Sequence, residues 1–446
     1  MMTGHATITR PAKQQRAGMF ALCAAAMLCG CAQPMNQPAP PGELLPGIDV
    51  LPGVGVLPGN DVLPGIDVLL RQAPGPLAGA RVGLITNHTG ISAVVTTDGE
   101  PASTIALLHK HPDIRLVALF SPEHSITGDA EGAVESGRDP TTGLPIHSLY
   151  GTTRRPTSEM LADVDVLVFD IQDIGTRYYT YVWTMAHALA AAAENGKRFV
   201  VLDRPNPIGG VQLHGNVLDT TFRTFVGRYP VPMRHGLTPG ELARLINGEY
   251  RLGADLTVIP VAGWRRDQWF DQTRLPWVRP SPNMPDLESA THYPGTCLYE
   301  GTNLSVGRGT PAAFQQIGAP WLDHEALVQR LARYDLPGVR IDAVTFVPDN
   351  PPDNKYGGVV NRGIRFTATD RSSYDPVRAS VAALIEIQAL HADSLRFREA
   401  HFDRLAGTDS LRLGVLRGAS LVDISRPWTA QIEAFRAMRQ QYLLYP

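Results

Sequence analysis

Five short aliphatic runs, each cut off by a cluster of polar residues, limit what this chain can become. They cover residues 81–86, 115–120, 165–170, 198–203 and 256–261. None alternates apolar with polar, as expected for parallel strands covered on both faces. Helical patterning fills several gaps between them, at 104–110, 181–195 and 238–247, with Gly196 and Gly248 placed as C-caps. Strand alternating with helix predicts an α/β doubly wound sheet over residues 64–288. From about residue 287 Pro, Gly and Asn dominate, followed by helices at 323–334, 376–390 and 428–445 and strands at 338–346 and 363–368. That texture predicts a second, smaller α+β domain over 289–446.

The residues that end the runs carry the chemistry. They are Asn87-His-Thr-Gly90, Ser121-Pro-Glu123-His124, Asp170-Ile-Gln-Asp173-Ile-Gly-Thr-Arg177-Tyr178-Tyr179 and Asp203-Arg-Pro-Asn206-Pro207. If the strands are parallel, all four clusters share one edge of the sheet, where α/β proteins bind ligands. Further polar loops are Arg234-His235-Gly236, Ser281-Pro-Asn283-Met-Pro285, Tyr299-Glu300-Gly-Thr-Asn303 and Gly307-Arg308-Gly-Thr310. Each alone reads as turn chemistry. Together, the carboxylates of Glu123, Asp170, Asp173 and Glu300 suit glycoside hydrolysis, which uses a protonated carboxyl at the leaving oxygen and usually a second carboxylate. Asn and Arg side chains can orient sugar hydroxyls. Tyr178, Trp183 and Trp264 can stack on sugar rings or pack in the core.

Several classes are excluded. A net charge of -3 with 19% charged residues gives no basic field for nucleic acid. There is no Gly-x-Gly-x-x-Gly after the first run and no P-loop lysine, so no nucleotide cofactor is expected. No Gly-x-Ser-x-Gly elbow and no His-Glu-x-x-His pair occurs, and no metal or other cofactor is assigned. The N-terminus has the form of a secretion leader (1–30): Arg10, Lys13 and Arg16 precede an apolar run of 13 residues, too short to span a bilayer permanently. It closes on Leu28-Cys29-Gly30-Cys31, which resembles a bacterial lipobox with Cys31 lipidated, so a periplasmic, outer-membrane lipoprotein is expected. Cys23 and Cys29 would leave with the leader, and Cys297 would have no partner for an intramolecular disulfide. Residues 31–63 read as a Pro/Gly-rich tether. It contains a repeat of period six beginning at Leu45, Leu51, Leu57 and Leu63, each copy starting Leu-Pro-Gly. Pro-Gly in every copy argues against helix, and the last copy is read as the start of the folded part.

The ordered blocks Arg81-Val-Gly-Leu-Ile-Thr-Asn87, Phe120-Ser-Pro-Glu-His124, Asp173-Ile-Gly-Thr-Arg-Tyr-Tyr179, Asp203-Arg-Pro-Asn-Pro207, Pro282-Asn-Met-Pro285, Glu300-Gly-Thr-Asn303 and Gly307-Arg-Gly-Thr310 resemble the exo-β-N-acetylmuramidase (NamZ-like) family. The resemblance spans residues 64–445. It implies a Rossmann-like domain, a smaller C-terminal domain and a cleft between them. The implied reaction removes N-acetylmuramic acid from the non-reducing end of peptidoglycan fragments. It implies Glu123 as general acid, with His124, Asp170, Asp173 and Glu300 positioning groups or activating water. Asn87, Tyr178, Asn206, His235, Asn283 and Asn303 are then expected at the substrate, with Arg177 or Arg308 on the lactyl carboxylate. The chain departs from the family's Glu-His-Gly-x-Arg-Gly, reading Glu123-His-Ser125-Ile-Thr127-Gly128. Ser125 lacks glycine's freedom at positive φ, and Thr127 removes a cation. The competing readings are a lipoprotein that binds muropeptides without cleaving them, and a metal-dependent hydrolase.

Overall fold

The computed structural model describes residues 55–56, 62–71, 75–95, 99–129 and 135–446. Cys31, the leader and most of the tether lie outside the described residues. Residues 49–446 belong to one compact unit. Strands and helices are numbered in chain order.

The aliphatic runs assemble into one seven-stranded sheet. Its members are β2 (Arg81–Thr86), β5 (Arg115–Ser121), β6 (Gly137–Arg138), β7 (Pro145–Ser148), β8 (Val166–Asp170), β9 (Arg198–Leu202) and β12 (Leu256–Ile259), in the order β12-β9-β8-β2-β5-β7-β6. All neighbours are parallel except the short edge strand β6. Side chains alternate between two apolar layers, as a strand's period of two requires. Leu167 and Phe169 of β8 face the layer of α3 (Tyr181–Glu194) and α4 (Pro239–Glu249). Val166 and Val168 face the layer of α1 (Gly65–Arg71) and α2 (Thr104–Lys110). This is the expected α/β doubly wound architecture.

Two small antiparallel sheets decorate it: β1 (Gly55–Val56), β3 (Ile91–Val95) and β4 (Pro101–Ser103), and β10 (His214–Val217) with β11 (Pro232–Arg234). The C-terminal part holds an antiparallel sheet ordered β13 (Gln316–Ala319), β15 (Asn361–Ala368), β14 (Val339–Phe346). Around it lie α5 (Leu287–Thr296), α6 (His324–Leu331), α7 (Pro376–Leu390), α8 (Glu399–Ala406), α9 (Ser410–Leu416) and α10 (Leu421–Arg439). Phe314, Ile364 and Leu384 belong to the same apolar cluster as Phe169 and Trp183, so one core runs through both parts. Among the described residues no helix is long and apolar enough to cross a membrane.

Four local expectations change. The last repeat copy does form helix, because Pro64 precedes α1, where a missing N–H costs nothing. Gly65 follows it against the sheet: a Cβ there would stand 2.5 Å from Asp203 N, so the close approach needs glycine. Gly248 is inside α4 rather than its cap, packed under the Tyr442 ring. Residues 287–296, read as loop, form α5 with Pro294 in its last turn, and α10 starts at Leu421 on a Ser420 cap and runs through Pro427. In both, tertiary burial outweighs proline's penalty: Tyr293, Trp428 and Phe435 are all core residues.

Candidate active site

Parallel pairing of β2, β5, β8 and β9 does bring their four following loops to one edge. A cavity of about 360 Å³ opens there against the C-terminal part. Glu123, His124, Tyr178, Tyr179, Thr180 and Tyr181 come to it from the sheet edge, and Asn283, Tyr293, Glu300, Arg308, His401 and Arg404 from beyond. Tyr150, Arg154 and Phe225 also line it. Its floor is aromatic: Tyr179 packs edge-on against Tyr181 at 5.1 Å and Tyr293 at 5.9 Å, and Tyr293 against Phe314 at 4.7 Å. The Tyr178 and Tyr181 hydroxyls donate to the carbonyls of Pro294 and Pro280, which fixes both rings.

Pro122 ends β5, and Glu123 is the next residue, half-buried in the cavity wall. The Thr180 hydroxyl, at the start of α3, donates to Glu123 Oε2 and leaves Oε1 without that tie. The chain then reverses through two left-handed residues, His124 and Ser125, both at φ 68°. Where the family resemblance gives glycine, Ser125 adopts glycine's conformation. Its hydroxyl secures the turn, pairing with Thr127 Oγ1 at 2.8 Å and accepting from Thr127 N at 3.2 Å. Gly128, at φ 83°, lies against the His88 ring, and a Cβ there would come within 1.9 Å of it. His88 is itself held by Arg279 O at 2.7 Å.

Glu300 comes from the turn after α5. Its carboxylate accepts from Arg308 at 2.5 Å, and Cys297 Sγ lies 3.6 Å away. Burial alone would raise its pKa, but Arg308 and Lys355 outweigh burial and the net shift is downward, so Glu300 is ionised. Lys355 bonds the carbonyls of Leu304 at 2.9 Å and Tyr299 at 3.2 Å. The cavity thus pairs one carboxyl that, among the described residues, a neutral hydroxyl alone holds, Glu123, with a cation-bound carboxylate, Glu300. A larger cavity of about 540 Å³ lies between the 208–212, 266–272 and 368–372 loops, and both of its carboxylates, Asp267 on Arg265 and Asp370 on the Ser372 and Ser373 hydroxyls, are exposed to solvent. Its arginines are engaged: Arg234 with Gln212 and Ile208, Arg266 with Glu241, Arg371 with Asp271.

Residues 82–288 match the family description "Exo-beta-N-acetylmuramidase NamZ, N-terminal", and residues 291–445 its C-terminal counterpart. The chain belongs to the exo-β-N-acetylmuramidase NamZ family. It is 44% identical over 372 residues to the peptidoglycan β-N-acetylmuramidase NamZ of Bacillus subtilis (strain 168), covering 83% of this chain and 88% of that protein. Two crystal structures of DUF1343 family proteins from Bacteroides fragilis share the fold. One has a TM-score of 0.80 and 38% identity over 87% of this chain and 100% of the other. The second has a TM-score of 0.67 and 31% identity, covering 86% and 99%.

Within this family fold, several residues expected at the substrate support the site from behind. Arg177 is fully buried: it donates to Asn216 O (2.8 Å), Val231 O (3.0 Å), Leu405 O (3.1 Å) and Ala406 O (2.7 Å). Asp170 is buried in an ion pair with Arg204 at 2.5 Å and accepts from Thr104. Asp173 lies below the tyrosines, its Oδ2 accepting from Gly175 N at 2.7 Å, and burial pushes its carboxyl up to about 7. Asn206 bonds Leu237 O at 3.0 Å, and Asn87 accepts from Thr89 N at 3.0 Å. His235 accepts from Leu237 N at 3.2 Å, and burial pulls its pKa to about 3. Asn303 ties Ser394 O to Arg396 N, at 2.9 Å each. Trp183 and Trp264 are core residues. None of these side chains is among the residues lining the cavity: neither Asn87, Arg177, Asn206, His235 and Asn303, expected as substrate contacts, nor Asp170 and Asp173, expected to position groups or activate water. A polar cluster at a strand end satisfies its own backbone first. Glu123, His124, Tyr178, Asn283, Glu300 and Arg308 do line it.

Sequence reasoning passed over Thr180, Tyr181, Tyr150, Arg154, Phe225, Tyr293, His401 and Arg404. Thr180 and Tyr181 directly follow the Tyr178-Tyr179 block, so extending that block by two residues would have found them. The others sit in loops or on helix faces with no local pattern.

Proposed function

We propose that this protein is an exo-acting glycoside hydrolase releasing terminal β-1,4-linked N-acetylmuramic acid from the non-reducing end of peptidoglycan fragments. The observation that carries this reading is the carboxyl pair in a small aromatic cavity: Glu123 on the Thr180 hydroxyl, and Glu300 held ionised by Arg308. A cavity of about 360 Å³ is at the small end for ligand sites and suits a single sugar ring rather than a run of them. In the proposed mechanism Glu123 gives its proton to the glycosidic oxygen as the C1–O bond breaks. The positive charge that develops on the ring is balanced by Glu300, and water adds its hydroxyl at C1 while the proton it gives up restores the acid form of Glu123. Tyrosine rings bound to proline carbonyls present flat, fixed surfaces to the sugar.

The deciding experiment is hydrolysis of a chromogenic β-N-acetylmuramide by wild type and Glu123→Gln. Wild type should release the chromophore, and the variant should lose at least about 100-fold in kcat. Equal rates would sink Glu123 as the acid. Absence of hydrolysis by both, with retained binding of fragments, would favour the non-catalytic muropeptide-binding reading. The leader and its lipobox-like end support a lipid anchor at Cys31 and a periplasmic location. Cys31→Ala should then shift the protein from the membrane to the soluble fraction.

A further inference from the structure

N-acetylmuramic acid differs from N-acetylglucosamine by a lactyl ether whose carboxylate is ionised at neutral pH, so an enzyme selective for it needs a cation with donors to spare. Three guanidiniums and two carboxylates line the cavity. Arg308 is committed to Glu300 at 2.5 Å. Arg404 is folded back on its own helix, its Nε on Ala400 O at 3.0 Å and an Nη 3.5 Å from His401 Nδ1. Arg177 is sealed behind the wall by four carbonyls. Arg154 is different. Its guanidinium carbon stands 4.9 Å from the centre of the Phe225 ring, and among the described residues no hydrogen bond or ion pair engages it.

The local frame makes that stack a fixed platform. Phe225 is at the tip of a turn closed by Thr224 N to Gly227 O at 2.9 Å and Gly227 N to Thr224 O at 3.3 Å. The ring also packs on His187 at 5.8 Å and Tyr150 at 5.9 Å. The neighbouring Arg155 is spent on Glu194 at 2.5 Å, so the loop does not leave Arg154 without an acid by lacking one nearby. A guanidinium stacked on a ring keeps its edge of N–H donors free for a bidentate grip on a carboxylate. We infer that Arg154, stacked on Phe225, is the specificity-determining residue that binds the carboxylate of the substrate's lactyl group. The inference rests on the glycosidase reading above and gives to Arg154 the role expected of Arg177 or Arg308.

The test compares a chromogenic β-N-acetylmuramide with its lactyl methyl ester, which is larger by one methyl group and carries no charge. Wild type should favour the acid over the ester in kcat/KM by on the order of 10- to 100-fold, the range of a charge-assisted bidentate contact. Arg154→Gln should bring the ratio close to one by slowing the acid more than the ester, and a urea midpoint matching wild type shows that the variant is folded. Arg404→Gln should keep the wild-type ratio. An Arg154→Gln enzyme that still prefers the acid overturns the inference, as does a collapse of the ratio in Arg404→Gln. If wild type hydrolyses neither compound, the glycosidase reading fails, and calorimetric binding of N-acetylmuramic acid against its methyl ester still decides on Arg154: a wild-type preference for the acid that Arg154→Gln abolishes upholds it, and any other result overturns it.

Discussion

Arg177→Met distinguishes a support from a ligand contact. Methionine keeps much of the side chain's length and removes all of its donors. Four carbonyls lose a bond, but two keep another donor: Leu218 N reaches Val231 O at 3.2 Å, and Asn216 Nδ2 reaches Ala406 O at 2.8 Å. The loss therefore counts as about two charge-assisted bonds, roughly 3–6 kcal/mol. Part of this is recovered, because burying the cation has its own cost, seen in the fall of the Arg177 pKa to about 10 through burial. The net expectation is a destabilisation of about 2–4 kcal/mol. Urea unfolding followed by tryptophan fluorescence should show it as a lower midpoint. KM for a chromogenic muramide, measured below that midpoint, should stay within about twofold of wild type, since uniform binding is untouched. A wild-type midpoint with KM raised tenfold or more would refute the reasoning and return Arg177 to the substrate.

Thr180→Val should lower kcat about 2- to 12-fold with little change in KM, because it removes the hydroxyl bond that holds the Glu123 carboxyl in place; a pure KM effect would contradict this. Asp173 supplies a pH test. Burial raises its carboxyl from 3.8 to about 7, so between those values the folded chain holds a proton that the unfolded chain has released. Its contribution to stability is complete below about pH 4 and is lost as pH rises toward 7. Asp173→Asn should flatten the fall in unfolding free energy between pH 5 and 7, and an unchanged slope would exclude Asp173 as its source. At Ser125, φ 68° puts a side chain where glycine is at ease. Ser125→Gly should therefore be more stable than Ser125→Ala by about 1 kcal/mol, both having lost the hydroxyl's bonds to Thr127. Equal midpoints for the two variants would contradict the strain.

The sheet was legible because its strands are buried on both faces and so advertise themselves as unbroken aliphatic runs; β2 spans 81–86 as read. The edge at which a ligand binds followed from parallel pairing alone. What did not follow was which polar side chains at that edge face the cavity. Asp170 and Glu123 each follow an aliphatic run, yet one is locked by Arg204 and the other faces the cavity. Only the lateral position of the next strand distinguishes them, and that is a long-range fact. Arg154 and His401 were hidden for the same reason: residues far apart in the chain become neighbours only through packing. Ser125 was legible as an anomaly, but its left-handed backbone and the Thr127 contacts that hold it were visible only in the fold.

Arg177 and Tyr178 are consecutive, and both reach out of the sheet domain. The arginine grips the end of α8 through Leu405 O and Ala406 O, and the tyrosine hydroxyl grips Pro294 O at the end of α5. Trp183, from the same loop-and-helix junction, donates to Arg177 O at 2.5 Å and ties the segment to itself. Two lobes joined in this way directly beneath their cleft have no hinge there: rotating one against the other would strip a buried guanidinium of its acceptors. The cavity is a socket of fixed gauge rather than a jaw. Its selection of what enters then falls to the gauge itself and to the side chains at the mouth, not to a closing movement of the chain.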